Sequence, residues 1–196
     1  MSGRLRLTGG TLGRRLIDVP AAADKGALRP TSDKVREALC SILNSRMDFV
    51  DAVVVDVCCG SGALGFEALS RGASRCTFVD ADRRTMTVVQ RNADSLGVSD
   101  RSRFVVDTVA RYVVGAHGDA DLVFFDPPYA MGLDAPVRAG LSLTLAPGGI
   151  LVVERSAKST DPAFEGLLLV DERRYGDTRL VIMQRPAEQL ESVEQQ

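Results

Sequence analysis

The residues best placed to do chemistry form two short clusters. In the first, Asp126-Pro127-Pro128-Tyr129 follows the apolar run Leu122-Val123-Phe124-Phe125. Two successive prolines fix φ and remove two N–H donors, so these four residues predict a rigid, extended rim whose carbonyls have no local donor and can face a ligand. Asp126 adds a carboxylate acceptor and Tyr129 an aromatic plate. Together they suit an amine carried on an aromatic base. Such an amine has its lone pair delocalised into the ring and is a poor nucleophile. Accepting both its hydrogens, at Asp126 and at the Pro127 carbonyl, favours the pyramidal nitrogen that can attack. Tyr129 would stack on the base, worth about 1–3 kcal/mol. A Pro-Pro loop with a core-capping tyrosine is the alternative reading.

In the second cluster, Gly60, Gly62 and Gly65 match G-x-G-x-x-G after Val53-Val54-Val55-Asp56-Val57, and Asp80 lies twenty residues beyond Gly60. The spacing predicts strand, tight turn and helix. Glycine at 60 and 62, either side of Ser61, lets the backbone turn sharply and approach a ligand, and glycine at 65 lets the helix pack close on the sheet. A carboxylate at 80 suits the two hydroxyls of an adenosine ribose. Nicotinamide, flavin and S-adenosylmethionine (SAM) sites share such a turn, and Asp56 separates them. Its charge would be repelled by a pyrophosphate and attracted by the ammonium and sulfonium of SAM. Asp56, Asp80, Asp107 and Asp126 all fall at the carboxyl ends of expected strands. Four carboxylates on one edge are costly unless something cationic or rich in donors sits there, which again favours SAM. For Asp56 the alternative is a buried structural carboxyl bonded to backbone amides.

The elements that must hold these clusters follow from periodicity. Residues 4–19 predict a β-hairpin with a basic face and a Gly9-Gly10 turn, followed by a small-residue linker from Pro20 to Pro30. A helix from Ser32 or Asp33 to about Ser45 carries Val35, Leu39, Ile42 and Leu43 as one stripe, with Lys34 and Arg36 pointing elsewhere. Strand 53–57 and an amphipathic helix over 62–71 come next. Strand 76–80 leads to an Asp82-capped helix with a Met86, Val89, Ala93, Leu96 seam, ended by Gly97. Strand 104–106, a short helix over 109–114, strand 122–125 and a helix over 135–145 continue the alternation. A turn at Pro147-Gly148-Gly149 precedes strand 150–153. The last two strands, near 167–170 and 180–183, read as an antiparallel hairpin. The fold class is therefore α/β: a doubly wound, Rossmann-like sheet of seven strands, mostly parallel with the last antiparallel, and an N-terminal β-hairpin extension. Ligands of such sheets bind outside the carboxyl ends of the strands at the switch point. Residues 1–30 read as a basic arm and linker, 31–186 as the catalytic domain, and 187–196, with three glutamates and no base, as a frayed acidic tail.

Composition bounds the function. The 196 residues are 45% hydrophobic and 26% charged, ordinary globular values, with no membrane-length run and no apolar signal region, so a cytoplasmic location is expected. Cys40, Cys58, Cys59 and Cys76 form no C-x-x-C pair, and His117 is the single histidine. No metal site is expected, and the thiols read as reduced and buried. The net charge of −2 is uneven: residues 1–36 carry +5 and the remainder −7. A basic end on an acidic body suggests an arm for a polyanion, with a merely solvated surface as the competing view.

Four motifs together resemble the bacterial methyltransferases that modify guanine N2 in 16S (small-subunit) ribosomal RNA, enzymes of the class I SAM-dependent, DPPY type. They are Arg6-Leu7-Thr8-Gly9-Gly10 with Gly13-Arg14 and Leu16; Arg29-Pro30-Thr31 with Asp33 to Leu39; Gly60 to Gly72; and residues 126–129. The resemblance covers nearly the whole chain apart from the acidic tail, and the two N-terminal motifs are its specific part. It implies SAM as methyl donor and 16S rRNA, in a partly assembled small subunit, as substrate. It implies that Arg4, Arg6, Arg14, Arg15, Arg29, Lys34 and Arg36 engage the RNA backbone. Asp56, Gly60, Ser61 and Gly62 would then face the methionine part, Asp80 the ribose, and Asp107 and Thr108 the adenine, while Asp126, Pro127 and Tyr129 carry catalysis. The adenine position is commonly Asp or Asn in the family and is Thr108 here. Three other readings compete: methylation of DNA adenine or a protein glutamine, a nicotinamide-dependent oxidoreductase, and a non-catalytic RNA-binding assembly factor. Asp56 and the DPPY segment disfavour the oxidoreductase, and the intact site residues disfavour the assembly factor.

Overall fold

The structure, a computed structural model, describes residues 3–21, 32–115, 118–128, 131–159 and 163–187. Tyr129, Arg29, His117, most of the linker and the acidic tail lie outside them.

The chain opens with β1 (Arg4–Arg6) and β2 (Leu16–Asp18), an antiparallel pair in the register Arg4↔Asp18 to Arg6↔Leu16. Helix α1 (Asp33–Asn44) is capped by Ser32, whose hydroxyl accepts from the Val35 N–H. Then come β3 (Val53–Val57), α2 (Ala63–Ser70), β4 (Arg75–Asp80), α3 (Arg83–Leu96), β5 (Ser102–Val106), α4 (Val109–Tyr112), β6 (Ala120–Phe125), α5 (Ala135–Thr144), β7 (Leu145–Ser156), β8 (Leu168–Tyr175) and β9 (Thr178–Gln184). Asp82 caps α3 as expected, and Gly97 ends it with φ at +72°.

Seven strands form one sheet in the order β5-β4-β3-β6-β7-β9-β8, with β9 antiparallel to both its neighbours and the other pairings parallel. The chain steps outward from β3 to β5, then returns to place β6 on the other side of β3. That reversal is the switch point. It sets the glycine turn after β3 beside the Asp126 rim after β6, because β3 and β6 run level to Val57↔Phe125.

Two cores flank the sheet. The hairpin, α1, α2 and α3 cover one face, where Leu7, Leu12 and Ile17 join Leu39, Phe66, Phe78 and Val89. Helices α4 and α5 cover the other, with Val109, Val137 and Leu141 against Val57, Val79 and Phe125. Among the described residues no helix is long and apolar enough to cross a membrane.

Three local expectations need correction. Helix α2 is not amphipathic: all eight residues are buried, Glu67 and Ser70 included, because the hairpin covers the side turned away from the sheet. Pro147-Gly148-Gly149 is not a turn before a strand but part of β7, which leaves α5 directly. Gly148 N–H donates to the Arg185 carbonyl, Arg185 N–H to the Gly149 carbonyl, and a register shift against β6 between Ala120 and Leu122 absorbs the irregularity. Strand β8 is twice its expected length, since Asp171-Glu172-Arg173-Arg174 hides an edge strand behind charge.

Candidate active site

The glycine turn is built as its spacing requires. Gly60 and Gly62 have φ of +52° and +76°, and Gly62 is the N-cap of α2. A Cβ on Gly65 would lie 2.4 Å from the Phe78 ring and 2.7 Å from Cys76 Sγ, so the third glycine lets the helix sit directly on β4. A Cβ on Gly62 would lie 2.8 Å from the Phe66 ring, which makes that glycine a packing requirement too. At Gly60 a Cβ would meet nothing, so the backbone there opens outward. Ser61 is half-buried, its carbonyl 3.5 Å from Asn92 Nδ2.

Asp56 does not face the ligand side as expected. It is 1% exposed, and its Oδ2 accepts from the Gly65 N–H at 2.9 Å. Gly62 has no side chain with which to cap α2, so Asp56 supplies the acceptor from the neighbouring strand. Burial pushes its carboxyl up to about 8; the Gly65 N–H works against that and nearby Asp80 adds to it. A carboxyl so buried, turned onto a backbone N–H, does not present itself to the ligand side. Placement matches the alternative reading, a structural brace.

Asp80, at the end of β4, borders a cavity of about 490 Å³ outside the carboxyl ends of β4 and β5. Its Oδ2 accepts from the Gly60 N–H at 3.1 Å and its Oδ1 from the Asp82 N–H at 2.9 Å. Burial raises its carboxyl, partly offset by those N–H groups. Asp107 and Thr108 line the same cavity, with Val79, Val109, Pro128, Met131 and Val137 as apolar walls. The Thr108 hydroxyl caps α4 by accepting from the Arg111 N–H at 3.4 Å. Asp107 Oδ1 accepts from the Thr108 N–H at 2.8 Å and lies 3.5 Å from Arg111 Nε.

Cys58 joins the two clusters, and sequence reasoning passed it over as inert. It lines the cavity and has φ of +59°, uncommon for a residue with a side chain. Register places it between Asp80 and Asp126, since Val57 pairs with Val79 on one side and Phe125 on the other. Its thiol is pushed up to about 12, first by burial, then by Asp80, Asp126 and Asp56. Three acidic side chains therefore lie near enough to act on this one thiol. The available signal was its place between the last strand valine and the first glycine. Asp126 is half-buried and Pro127 buried, while the Pro128 carbonyl accepts from the Met131 N–H at 2.8 Å. Tyr129 lies outside the described residues.

On the hairpin, Arg4, Arg6, Arg14 and Arg15 are exposed, and so is Lys34 on α1. Arg4 pairs with Asp18 at 3.1 Å, Arg15 donates to the Ser95 carbonyl at 2.7 Å, and Arg14 has φ of +69°. Arg36 must be removed from the RNA-facing set. Its side chain is 0% exposed, 3.6 Å from Glu67, because the hairpin and α2 close over that flank of α1. Arg29 lies outside the described residues. Among the described residues no cluster could hold a metal ion.

A doubly wound sheet of this strand order, with a glycine turn and a carboxylate-bordered cavity at its switch point, defines the class I methyltransferase fold. The chain belongs to the family described as Conserved hypothetical protein 95, matched over residues 5–184. It is 37% identical over 132 residues to Ribosomal RNA small subunit methyltransferase D of Escherichia coli, a match covering 67% of this chain and 64% of that protein. The protein of the same name from Haemophilus influenzae is 30% identical over 184 residues, 89% of this chain and 90% of that one. The solved structure of yhhF from Escherichia coli matches with a TM-score of 0.81 at 32% identity, covering 95% of this chain and 100% of that one. The kinship with small-subunit ribosomal RNA methyltransferases read from the four motifs is borne out.

Proposed function

We propose that this protein transfers a methyl group from SAM to the exocyclic N2 amine of a guanine in 16S ribosomal RNA, within an assembling small subunit. The observation that carries the reading is the meeting of the Gly60 turn, Asp80 and Asp126 around Cys58, beside a cavity of about 490 Å³. The kinship with proteins named for ribosomal RNA methylation supports the substrate class. The residues present fit the donor. Gly60 carries no Cβ where the backbone opens outward, and apolar walls such as Val109, Met131 and Pro128 suit a flat base. Asp80 keeps acceptor capacity beyond its two N–H partners.

When bound, SAM supplies an electrophilic methyl carbon. Asp80 holds the ribose hydroxyls, the Gly60–Gly62 backbone follows the methionine part, and Asp107 and Thr108 edge the adenine. Asp126 and the Pro127 carbonyl accept the two hydrogens of the guanine amine, freeing the nitrogen lone pair for the methyl carbon. Tyr129 stacks on the base. No strong base is needed, because the proton becomes acidic as the N–C bond forms and the S–C bond to the methyl breaks, leaving S-adenosylhomocysteine as a neutral thioether; the proton passes by way of Asp126 to water. Catalysis is then chiefly orientation and exclusion of water. The exposed arginines of the hairpin hold RNA phosphates, sequence-independent contacts that set register.

The test is mass mapping of 16S rRNA from cells lacking the gene, with purified protein and labelled SAM added back to their small subunits. One guanine should lose its N2 methyl in the deletion and regain it in vitro. An unchanged methylation map would overturn the reading.

A further inference from the structure

Outside the donor cavity, the hairpin, α1 and α2 seal a group of charged side chains from water. Glu67 of α2 and Arg36 of α1 are 0% exposed, and Arg71 is largely buried. Glu67 Oε1 accepts from the Thr8 N–H at 2.7 Å and lies 3.6 Å from Arg36 Nε; its Oε2 accepts from the Thr8 hydroxyl at 3.0 Å and from Arg71 Nη1. Arg71 Nη2 donates back to Thr8 Oγ1 at 3.1 Å, and Arg36 Nη2 donates to the Arg6 carbonyl at 2.6 Å. One carboxylate thus ties the hairpin to two helices.

The neighbouring contacts repeat the pattern. The Thr11 N–H donates to the Ser70 carbonyl at 2.7 Å, and the Leu12 N–H to Ser70 Oγ at 2.9 Å. A Cβ on Gly10, where φ is +72°, would sit 2.0 Å from the Ser70 carbonyl oxygen. Residues 8–12 are therefore seated on α2 by steric fit and by hydrogen bonds, closer than an ordinary side chain at position 10 would allow. Burying ions costs several kcal/mol each, and well-packed apolar residues would hold two elements together as firmly. What a charged seam adds is one fixed geometry. The fixed object is a loop flanked by the exposed Arg6 and Arg14, and the anchor is the helix that starts at Gly62 of the donor turn.

We propose that Glu67 is a positioning residue for the transfer: through Thr8, with Arg36 and Arg71, it sets the distance between the phosphate-holding arginines of the hairpin and the glycine turn. This rests on the reading of the hairpin as the RNA-binding arm. Because α2 is a rigid helix of about two turns behind the glycine turn, play at Thr8 leaves the hairpin's arginines out of register with the RNA phosphates, and the subunit is held less tightly.

The test uses the full chain with Thr8→Val, which leaves every charge in place, Thr8→Ser as the conservative partner, and Glu67→Gln. Transfer from labelled SAM to small subunits of the deletion strain is followed, with S-adenosylhomocysteine affinity and Tm measured alongside. Thr8→Val should raise KM for the subunit roughly tenfold, the equivalent of one lost hydrogen bond, with kcat and S-adenosylhomocysteine affinity within twofold of wild type. Thr8→Ser should restore KM, and Glu67→Gln should exceed Thr8→Val. If wild type transfers methyl while both Thr8→Val and Glu67→Gln keep its subunit KM, the positioning role falls alone. Loss of Tm and S-adenosylhomocysteine affinity in parallel, with KM unmoved, would also overturn it. A wild type inactive on every subunit preparation would take the functional reading down with it.

Discussion

Beneath the hairpin, Arg36 and Glu67 are shut away from water, Arg71 is largely so, and the three answer one another; at the carboxyl ends of β3, β4 and β6 gather three acidic side chains, Asp56, Asp80 and Asp126. In the seam Arg36 and Arg71 flank the one buried carboxylate, and Arg36 pairs also with Asp33 at 2.9 Å. On the rim, Asp56 and Asp80 meet backbone N–H groups instead, and burial raises both carboxyls. Balanced burial yields fixed shape. Unbalanced burial raises the free energy of the charged form, and an incoming cation or hydroxyl donor can lower it again. The same ingredients therefore make a joint in one place and, on the function proposed above, a binding site in the other.

The sharpest way to break this contrast is Glu67→Ala, which leaves two buried guanidinium groups without their shared carboxylate. It should cost about 3–5 kcal/mol, read as a fall in Tm and in the urea midpoint. A loss below 1 kcal/mol would mean the seam is not balanced as described. Next, Asp126→Ala should lower kcat by more than about 10²-fold while S-adenosylhomocysteine affinity stays near wild type, and Tyr129→Ala should behave alike. Unchanged turnover in both would remove the rim from the chemistry.

A subtler test lies in pH. The Asp56 carboxyl, about 8 when folded against an ordinary 3.8, holds its proton more tightly in the folded chain. Its contribution to stability is full below pH 3.8 and is lost as pH rises through about 8. Asp56→Asn should shrink the fall in Tm between pH 5 and pH 8 by several degrees, and an unaltered slope would show that the brace carries no proton. The smallest effect concerns the arm. Arg14→Glu with Arg15→Glu should flatten the dependence of RNA affinity on salt by about one unit of slope per lost phosphate contact. A full slope would return those arginines to plain solvated surface.

Much of this was legible in local pattern. The valine run, the three glycines and Asp80 gave strand, turn and helix in their observed places, and Ser32, Asp82 and Gly97 marked helix ends correctly. Arg36 misled because the stripe through Val35, Leu39 and Leu43 accounts for only one of the faces α1 buries; the hairpin closes on another, from thirty residues away. The amphipathic reading of α2 failed likewise, as a charge such as Glu67 on a helix usually marks the wet side. Cys58 drew no attention because its chemistry is bland, and only strand register shows it wedged between two carboxylates.

Sequence alone determined the order of elements, the doubly wound sheet, the strand-end carboxylates and the family, because all of these depend on residues near one another along the chain or on short fixed spacings. Tertiary structure alone decided that Asp56 braces a helix, that Arg36 and Glu67 form a sealed joint, and that Asp80 and Asp126 flank Cys58. Those outcomes depend on which distant segment covers a given face. Desolvation, the force that decides between a working charge and a structural one, acts only once that cover is in place.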